Sequence, residues 1–177
     1  MQRIIVIGST GSGKTTLAAQ LAAKLGLKQI EMDALTWEAG WHPAPIPVFR
    51  ERVAQAMATD RWVMDGNYGK LRDLTWPAAD TVVWLDYSLA VILWRLWWRT
   101  LRRVFLRVEL WNGNQERFFT AFFTKDSLFY WALQTYKRHK REFVAAFARP
   151  EHAHLQVIHL HTPRETARCL ASASGSN

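Results

Sequence analysis

The chain has 177 residues, 49% of them hydrophobic, with 10 Trp and 9 Phe. This composition excludes a disordered chain and suits one domain with a sizeable core, because the chain is short for two. The formal net charge of +8 points to an anionic partner. The single cysteine, Cys169, excludes an internal disulfide and a cysteine-built zinc site, so we expect a cytoplasmic protein. No apolar run approaches the about 20 residues that span a bilayer, and we expect no membrane partner.

The first predicted elements are a strand at Arg3–Ile7 and a helix at Lys14–Leu25, joined by a glycine-rich loop. The strand is short, apolar and β-branched, as buried parallel strands are. The helix carries apolar residues at helical spacing until Gly26 ends it. The loop, Gly8–Thr15, reads Gly-Ser-Thr-Gly-Ser-Gly-Lys-Thr, a complete G-x-x-x-x-G-K-S/T motif in its required strand–loop–helix context. The motif predicts that this protein binds a nucleoside triphosphate.

The chemistry of this loop follows from its residue types. Glycines let successive backbone N–H groups point at phosphate oxygens, and the start of the helix adds its partial positive charge. Lys14 is expected to reach the β- and γ-phosphates, and the Thr15 hydroxyl is expected to bind Mg²⁺. The predicted nucleotide contacts are Gly8, Ser9, Thr10, Gly11, Ser12, Gly13, Lys14, Thr15 and Thr16.

Four further strands are predicted, and helical patterns alternate with them. They lie at Lys28–Met32, Arg61–Asp65, Thr81–Asp86 and Leu155–Leu160. Strands that alternate with helices indicate an α/β fold with a parallel sheet and right-handed crossovers. We expect a single domain, with its core in residues 1–99 and 151–172 and a helical insertion at about 100–150.

The segment that leads into this insertion combines an apolar and a basic stripe. A helix predicted from Ser88 to Val108 has its apolar positions at Leu93, Trp97, Leu101, Val104 and Val108. Its arginines are Arg95, Arg99, Arg102, Arg103 and Arg107. A solvated helix face is the simpler explanation for such a stripe. However, five arginines without an interleaved acid repel one another unless an anion neutralises them, so we favour a phosphate role for part of the stripe.

Three aspartates stand where predicted strands end, the edge at which parallel sheets gather ligands. Asp65 follows an apolar strand, the usual place for a carboxylate that holds Mg²⁺ beside a phosphate loop. Asp33 follows the second strand and is a candidate for the acceptor side. Asp86 ends the fourth strand and is expected to be mainly structural, because aspartates commonly cap helices and shape turns there.

Two histidine pairs have the spacing that places both rings on one face of a strand. They are His152-x-His154 and His159-x-His161. Each pair offers two metal ligands, but the sequence shows no third ligand at suitable spacing. We therefore expect strand-end or surface roles for all four histidines.

At these residues the chain resembles the P-loop kinases of the adenylate-kinase-like group, and more narrowly the adenylate-kinase-related, or DNA topology modulation (FlaR-type), proteins. The matching pieces are Gly8–Thr15, Asp33–Trp37 with Gly40 and Trp41, Trp62–Tyr68, and Leu85 and Asp86 followed by Arg95-x-x-x-Arg99. The resemblance implies a three-layer P-loop NTPase fold with a five-stranded sheet in the order 2-3-1-4-5. It also implies that Asp65 lies near the metal, and that Arg95 and Arg99 hold the base and phosphates of the donor.

The acceptor side departs from this group. Adenylate kinases carry Phe-Pro-Arg after the Asp-Gly pair, where this chain has Asn67, Tyr68 and Gly69, and its nearest arginine is Arg72. The acceptor, a nucleoside monophosphate or another hydroxyl compound, therefore stays open. We expect Asp33, Trp37, Tyr68 and Arg72 to bind it.

The resulting hypothesis is a monomeric, ATP- and Mg²⁺-dependent small-molecule kinase. Its predicted catalytic residues are Lys14, Arg95, Arg99 and Asp65, and Thr15 and Asp65 are its predicted metal ligands. The alternative is a nucleotide-dependent DNA-binding protein, which the basic helix mixed with Trp and Phe allows. No recognised nucleic-acid motif is visible in the sequence, and this favours the kinase.

Overall fold

The structure, a computed structural model, describes residues 1–106, 110–113 and 128–173. These residues form a five-stranded parallel sheet with the strand order β2-β3-β1-β4-β5. The strands are β1 (Arg3–Gly8), β2 (Lys28–Glu31), β3 (Trp62–Asp65), β4 (Thr81–Leu85) and β5 (Gln156–Leu160). The predicted fold class and strand order are confirmed.

Helices cover both faces of the sheet. They are α1 (Lys14–Leu25), α2 (Met32–Thr36), α3 (Ile46–Ala56), α4 (Arg72–Thr75), α5 (Leu89–Phe105), α6 (Leu128–Phe147) and α7 (Pro163–Ser172). Side chains of β1 alternate between two apolar clusters. Ile4 and Val6 pack with α1 and α5, whereas Ile5 and Ile7 pack with α3 and α6. With both faces covered, the carboxyl ends of the strands are the edge at which a ligand site can form.

Element bounds differ from the predicted ones in two places that matter for the site. Strand β2 ends at Glu31, because Met32 already begins the short helix α2, and Asp33 therefore lies in the first turn of a helix. Helix α5 ends at Phe105, and Arg107 and Val108 lie outside the described residues. None of the described helices combines the length and the apolarity that a membrane crossing requires.

Helix α5 turns a different face to the core than its apolar stripe suggests. Ile92, Leu96 and Thr100 are fully buried, whereas Trp97 of the predicted stripe is 45% exposed. The reason is the phosphate loop, which packs directly on the helix. A Cβ added to Gly11 would lie 3.1 Å from the carbonyl oxygen of Ile92. The arginines next to this buried face are consequently brought to the loop.

Candidate active site

The phosphate loop connects β1 to α1 and has the conformation that only glycine adopts readily. Gly8 and Gly13 have φ angles of 151° and 95°, and Gly13 caps the start of α1. A Cβ on Gly8 would lie 2.6 Å from the carbonyl oxygen of Leu85 on β4, which is a clash. The loop therefore depends on glycine for its φ angles and for its close approach to β4.

Lys14 lies at the start of α1 and folds back over the loop. Its Nζ donates a hydrogen bond to the carbonyl oxygen of Ser9 at 3.1 Å. Burial lowers the pKa of the Lys14 ammonium and the Arg99 charge lowers it further, while the carboxylates of Asp33 and Asp65 oppose both. The ammonium thus lies near two carboxylates and one guanidinium, at the position where phosphates would bind.

Thr15 of the phosphate loop and Asp65 at the end of β3, the two predicted metal ligands, contact each other. The Thr15 hydroxyl donates to Oδ2 of Asp65, a side chain at the end of β3 that is only 5% exposed. The other carboxylate oxygen, Oδ1, is buried without a hydrogen-bond partner. Burial raises the pKa of Asp65, although the Thr15 hydroxyl and Lys14 act against this rise. A hydroxyl and a carboxylate with an unsatisfied oxygen are the hard ligands that fit Mg²⁺ or its waters.

Asp33 and Tyr68 form a second pair, whose carboxylate also acts on Lys14. The Tyr68 hydroxyl donates to Oδ1 of Asp33, and the Tyr68 ring packs edge-on against Phe49 at 5.0 Å between centroids. Burial and the Asp33 charge raise the pKa of Tyr68, so its hydroxyl stays protonated and donates. Asp33 therefore accepts one hydrogen bond from the protein and acts on the Lys14 charge.

A small pocket with about 10 Å³ of free volume, room for about one water molecule, lies beside this pair. Its lining includes Met64, Asn67, Tyr68, Arg72, Trp76 and Phe143. The guanidinium carbon of Arg72 lies 4.8 Å from the centroid of the Trp76 ring. Within the described part of the chain, no carboxylate lies within 4.0 Å of Arg72, and burial lowers the pKa of Arg72. The Glu142 charge opposes this lowering without a direct ion pair, and the pocket thus presents a partly buried cation that no described carboxylate contacts directly.

Asn67 connects the phosphate loop with the pocket beside Tyr68. Its Oδ1 accepts from the backbone N–H of Gly8 at 3.0 Å, and its Nδ2 donates to the carbonyl of the same residue. The pocket residue Tyr68 is its neighbour in sequence. In the sequence, Asn67 stood out only as a departure from the Pro-Arg of adenylate kinases, and its contact with the phosphate loop was missed.

The structure brings Arg95 and Arg99 to the phosphate loop. Nη1 of Arg95 donates to the carbonyl of Ser12 at 2.9 Å, and its guanidinium carbon lies 5.1 Å from the centroid of the Tyr87 ring. Arg99 is close enough to Lys14 to lower the pKa of that ammonium. Two members of the basic stripe therefore add positive charge at the predicted donor site.

Trp37, a predicted acceptor residue, lies in a separate aromatic group. Its ring contacts Trp41 edge-on at 5.7 Å, and Trp41 contacts Trp111 at 6.3 Å between centroids. The Trp37 carbonyl accepts from Nδ2 of Asn112 at 2.5 Å. Trp37 is not among the residues that line the pocket beside Tyr68, whereas Arg72 and Tyr68 are.

The chain is similar in fold to solved structures of kinases. No known family model matches the chain, and no curated protein sequence matches it. Among solved structures, it is similar to a sugar kinase from Janibacter sp. HTCC2649, with 21% identity, a TM-score of 0.51 and coverage of 97% of this chain and 93% of that one. It is also similar to a shikimate kinase from Bacteroides thetaiotaomicron, with 18% identity, a TM-score of 0.52 and coverage of 96% and 94%.

A gluconokinase from Sinorhizobium meliloti is similar at 19% identity and a TM-score of 0.52, with coverage of 96% of this chain and 91% of that one. At these identities the matches show the fold alone. The chain has the three-layer α/β fold of P-loop kinases, with its phosphate-loop motif in the expected place.

Proposed function

We propose that this protein is an ATP- and Mg²⁺-dependent phosphotransferase that acts on a small molecule. The observation that carries the proposal is the arrangement of two carboxylates around Lys14. Asp65 is paired with Thr15 at the phosphate loop, and Asp33 is paired with Tyr68 at the pocket. A phosphotransferase needs this division, with one side for the donor phosphates and one for the acceptor.

On the donor side the roles follow from charge. The loop amides and Lys14 would bind the phosphates of ATP, and Thr15 and Asp65 would hold Mg²⁺. Bound Mg²⁺ supplies charge neutralisation at the phosphate oxygens. Arg95 and Arg99 would stabilise the negative charge of the transferring group, because Arg95 is bonded to the loop and the charge of Arg99 acts on Lys14.

On the acceptor side the charges favour a hydroxyl group over a phosphate. An acceptor hydroxyl can donate to Asp33, which orients its oxygen for attack, whereas a phosphate acceptor would add negative charge beside two carboxylates. Arg72, without an ion-pair partner in the described residues, would bind an acidic group of the acceptor. We therefore propose an acceptor that carries both a hydroxyl and an acidic group, and the names of the similar structures, sugar, shikimate and gluconate kinases, agree with a hydroxyl acceptor.

The adenylate-kinase-like, FlaR-type assignment is the second candidate, and it rests on the sequence pieces shared with that group. It predicts a nucleoside monophosphate as the acceptor. The Asn67-Tyr68 replacement of Pro-Arg weakens it, because a monophosphate would lose its arginine partner at that position.

The test is ADP formation from ATP with a panel of hydroxy acids, sugars, nucleosides and nucleoside monophosphates. We expect a hydroxy acid or acidic sugar to be turned over. With that acceptor, Asp33→Asn should lower kcat by about 10²-fold while ATP affinity is retained, because the lost group orients only the acceptor. Asp60→Asn, at an exposed turn, is the control.

Two outcomes would contradict the proposal at different levels. Turnover of AMP at about 10 s⁻¹ or more would overturn the hydroxyl acceptor and favour the adenylate-kinase-like reading. Binding of ATP without ADP formation from any acceptor class would overturn the phosphotransferase itself.

A further inference from the structure

A second group of polar side chains lies at the carboxyl ends of β4 and β5, away from the pocket. Asp86 directly follows β4, His159 lies in β5, and His161 directly follows β5. Oδ2 of Asp86 is 3.0 Å from Nε2 of His159 and 3.7 Å from Nδ1 of His161. The described residues contain no other group of three His, Cys, Asp or Glu with this proximity.

The two distances to Asp86 are close to those between ligands of one metal ion, and all three ligand atoms lie within 4.8 Å of one another. In a tetrahedral site with bonds of about 2.0–2.1 Å, ligand atoms stand about 3.4 Å apart. The separations of 3.0 and 3.7 Å lie on either side of this value. Two imidazole nitrogens and one carboxylate oxygen form a donor set that zinc accepts, with a fourth position left for water.

We propose that Asp86, His159 and His161 bind a divalent transition metal ion such as Zn²⁺, and that Lys140 opposes this binding. Nζ of Lys140, on α6, donates to the same Oδ2 of Asp86 at 2.7 Å. The ammonium neutralises a carboxylate that is only 4% exposed. A metal ion on that oxygen would be repelled by the ammonium, so metal binding and the Lys140–Asp86 contact weaken each other.

The surroundings hold the ligands in place before any metal arrives. The His159 ring stacks on Trp84 with a centroid distance of 3.9 Å and an interplanar angle of 2°. Trp84 and His159 are paired across β4 and β5, which fixes this stack by sheet register. The backbone N–H of Asp86 donates to the carbonyl of Leu160 at 2.8 Å, and this bond holds the carboxylate beside β5.

The sequence showed no third ligand for His159 and His161 because the nearby carboxylate, Asp86, is distant in sequence. Asp86 precedes His159 by 73 positions and reaches it only through the pairing of adjacent strands. The other pair differs: His152 is buried with Nδ1 2.8 Å from the carbonyl oxygen of Ala146, and His154 binds backbone oxygens. His154 therefore provides a natural control.

The test is calorimetric titration of the full chain with Zn²⁺ in an excess of Mg²⁺ and without nucleotide. Mg²⁺ prefers oxygen ligands and does not compete for imidazole, so it masks Thr15 and Asp65 but not this site. We expect one zinc ion bound per chain. His159→Gln and His161→Gln should each weaken the affinity about tenfold or more, whereas His154→Gln should leave it unchanged.

Lys140→Met provides the sharper measurement. If the ammonium opposes metal binding, its removal should strengthen zinc binding several-fold, because the metal no longer competes with a cation. The affinities of the variants for Co²⁺, measured through its visible absorption, should follow the same order as their affinities for zinc. Thermal unfolding of each metal-free variant establishes that it is folded.

Two results would overturn the proposal. One is a zinc affinity in His159→Gln or His161→Gln equal to that of His154→Gln. The other is a Lys140→Met protein that binds zinc no more tightly than the unchanged chain, which would mean that the Lys140 ammonium does not compete with the metal at Asp86.

Discussion

The donor and acceptor sides of the candidate site are built in different ways. The centre of the donor side is a run of eight consecutive residues, Gly8–Thr15, whose backbone is held by glycine conformations, and Asp65 and Arg95 add side chains to it. The acceptor side consists of single side chains from α2, from the loop after β3 and from α4, among them Asp33, Tyr68 and Arg72. A site made of backbone leaves a contiguous motif, whereas a site made of scattered side chains leaves no motif. The following predictions test this contrast between the two sides.

The largest effect is expected on the donor side. Lys14→Ala should reduce phosphoryl transfer by about 10³-fold or more, because a charge aimed at the transferring phosphate is lost. The thermal transition of the nucleotide-free protein should barely change, since the hydrogen bond of Lys14 to Ser9 and its attraction to Asp33 and Asp65 are offset by the burial of its charge. Lys137→Ala, at an exposed position of α6, is the control. Full activity in purified Lys14→Ala protein would exclude the phosphotransferase.

The second effect concerns the basic helix that flanks the donor side. Arg95→Ala should lower kcat/KM by about 10²–10³-fold, because a cation held against Ser12 no longer meets the developing charge. Arg102→Ala, exposed on the same helix, should have little effect. The measurement is ADP formation together with the affinity for duplex DNA across salt concentrations.

The DNA alternative makes the opposite forecast for these variants. If duplex DNA binds in the nanomolar range near physiological salt, and Arg95→Ala loses that binding while ATP turnover is normal, then the basic helix serves nucleic acid. The contact of Arg95 with the phosphate loop supports the donor role instead.

The fold was predictable because its signals are local and repeated. Five short predicted strands alternate with helical patterns, and each became a strand within one residue of its predicted ends. The buried face of α5 was not predictable. Leu93 and Trp97 have the spacing of a core stripe, but Ile92 and Leu96 are buried because Gly11 allows the loop to pack there. The buried face of α5 is determined by contacts with a segment distant in sequence, and hydrophobic periodicity does not predict such contacts.

The candidate site also contains contacts that the sequence predicts and contacts that it does not. The Thr15–Asp65 contact follows from a motif and a strand end, so both could be chosen from sequence. The Tyr68–Asp33 bond joins residues 35 positions apart, and Asn67 reaches Gly8 across 59 positions. Tyr68 meets Asp33 through the parallel pairing of β3 with β2, and Asn67 meets Gly8 through the pairing of β3 with β1. Sequence spacing alone could nominate Tyr68 and Asp33 but could not pair them.

A variant of Asn67 would break the connection between the two sides. Asn67→Ala removes both hydrogen bonds to Gly8, and we expect kcat to fall about 10- to 100-fold with a smaller change in KM for ATP. Small displacements of reacting groups have effects of this size. Asn67→Asp should be at least as impaired, because a carboxylate cannot donate to the Gly8 carbonyl. Steady-state kinetics with both substrates provide the measurement. Equal rises in KM with unchanged kcat would show that Asn67 serves binding and not alignment.

The smallest effect concerns the stability that the fold loses because the Asp65 carboxylate is buried. Burial raises the pKa of Asp65, so the folded protein binds this proton more tightly than the unfolded chain does. The resulting stability is fully present below the ordinary carboxyl pKa and is lost as pH rises through the higher pKa of the folded state. Near neutral pH, the ionised carboxylate therefore destabilises the nucleotide-free fold.

Asp65→Asn should thus melt a few degrees higher than the unchanged chain near neutral pH, since about 1 kcal/mol corresponds to roughly 2–4 °C at this size. The amide oxygen can still accept from Thr15, so the packing at the end of β3 is retained. The gain should shrink as pH falls and Asp65 becomes protonated. Stabilisation of the protein by ATP should at the same time lose its dependence on Mg²⁺. If the variant instead melts lower near neutral pH and the difference grows as pH rises, then Lys14 and Thr15 stabilise the carboxylate by more than burial costs, and the donor side is assembled without nucleotide.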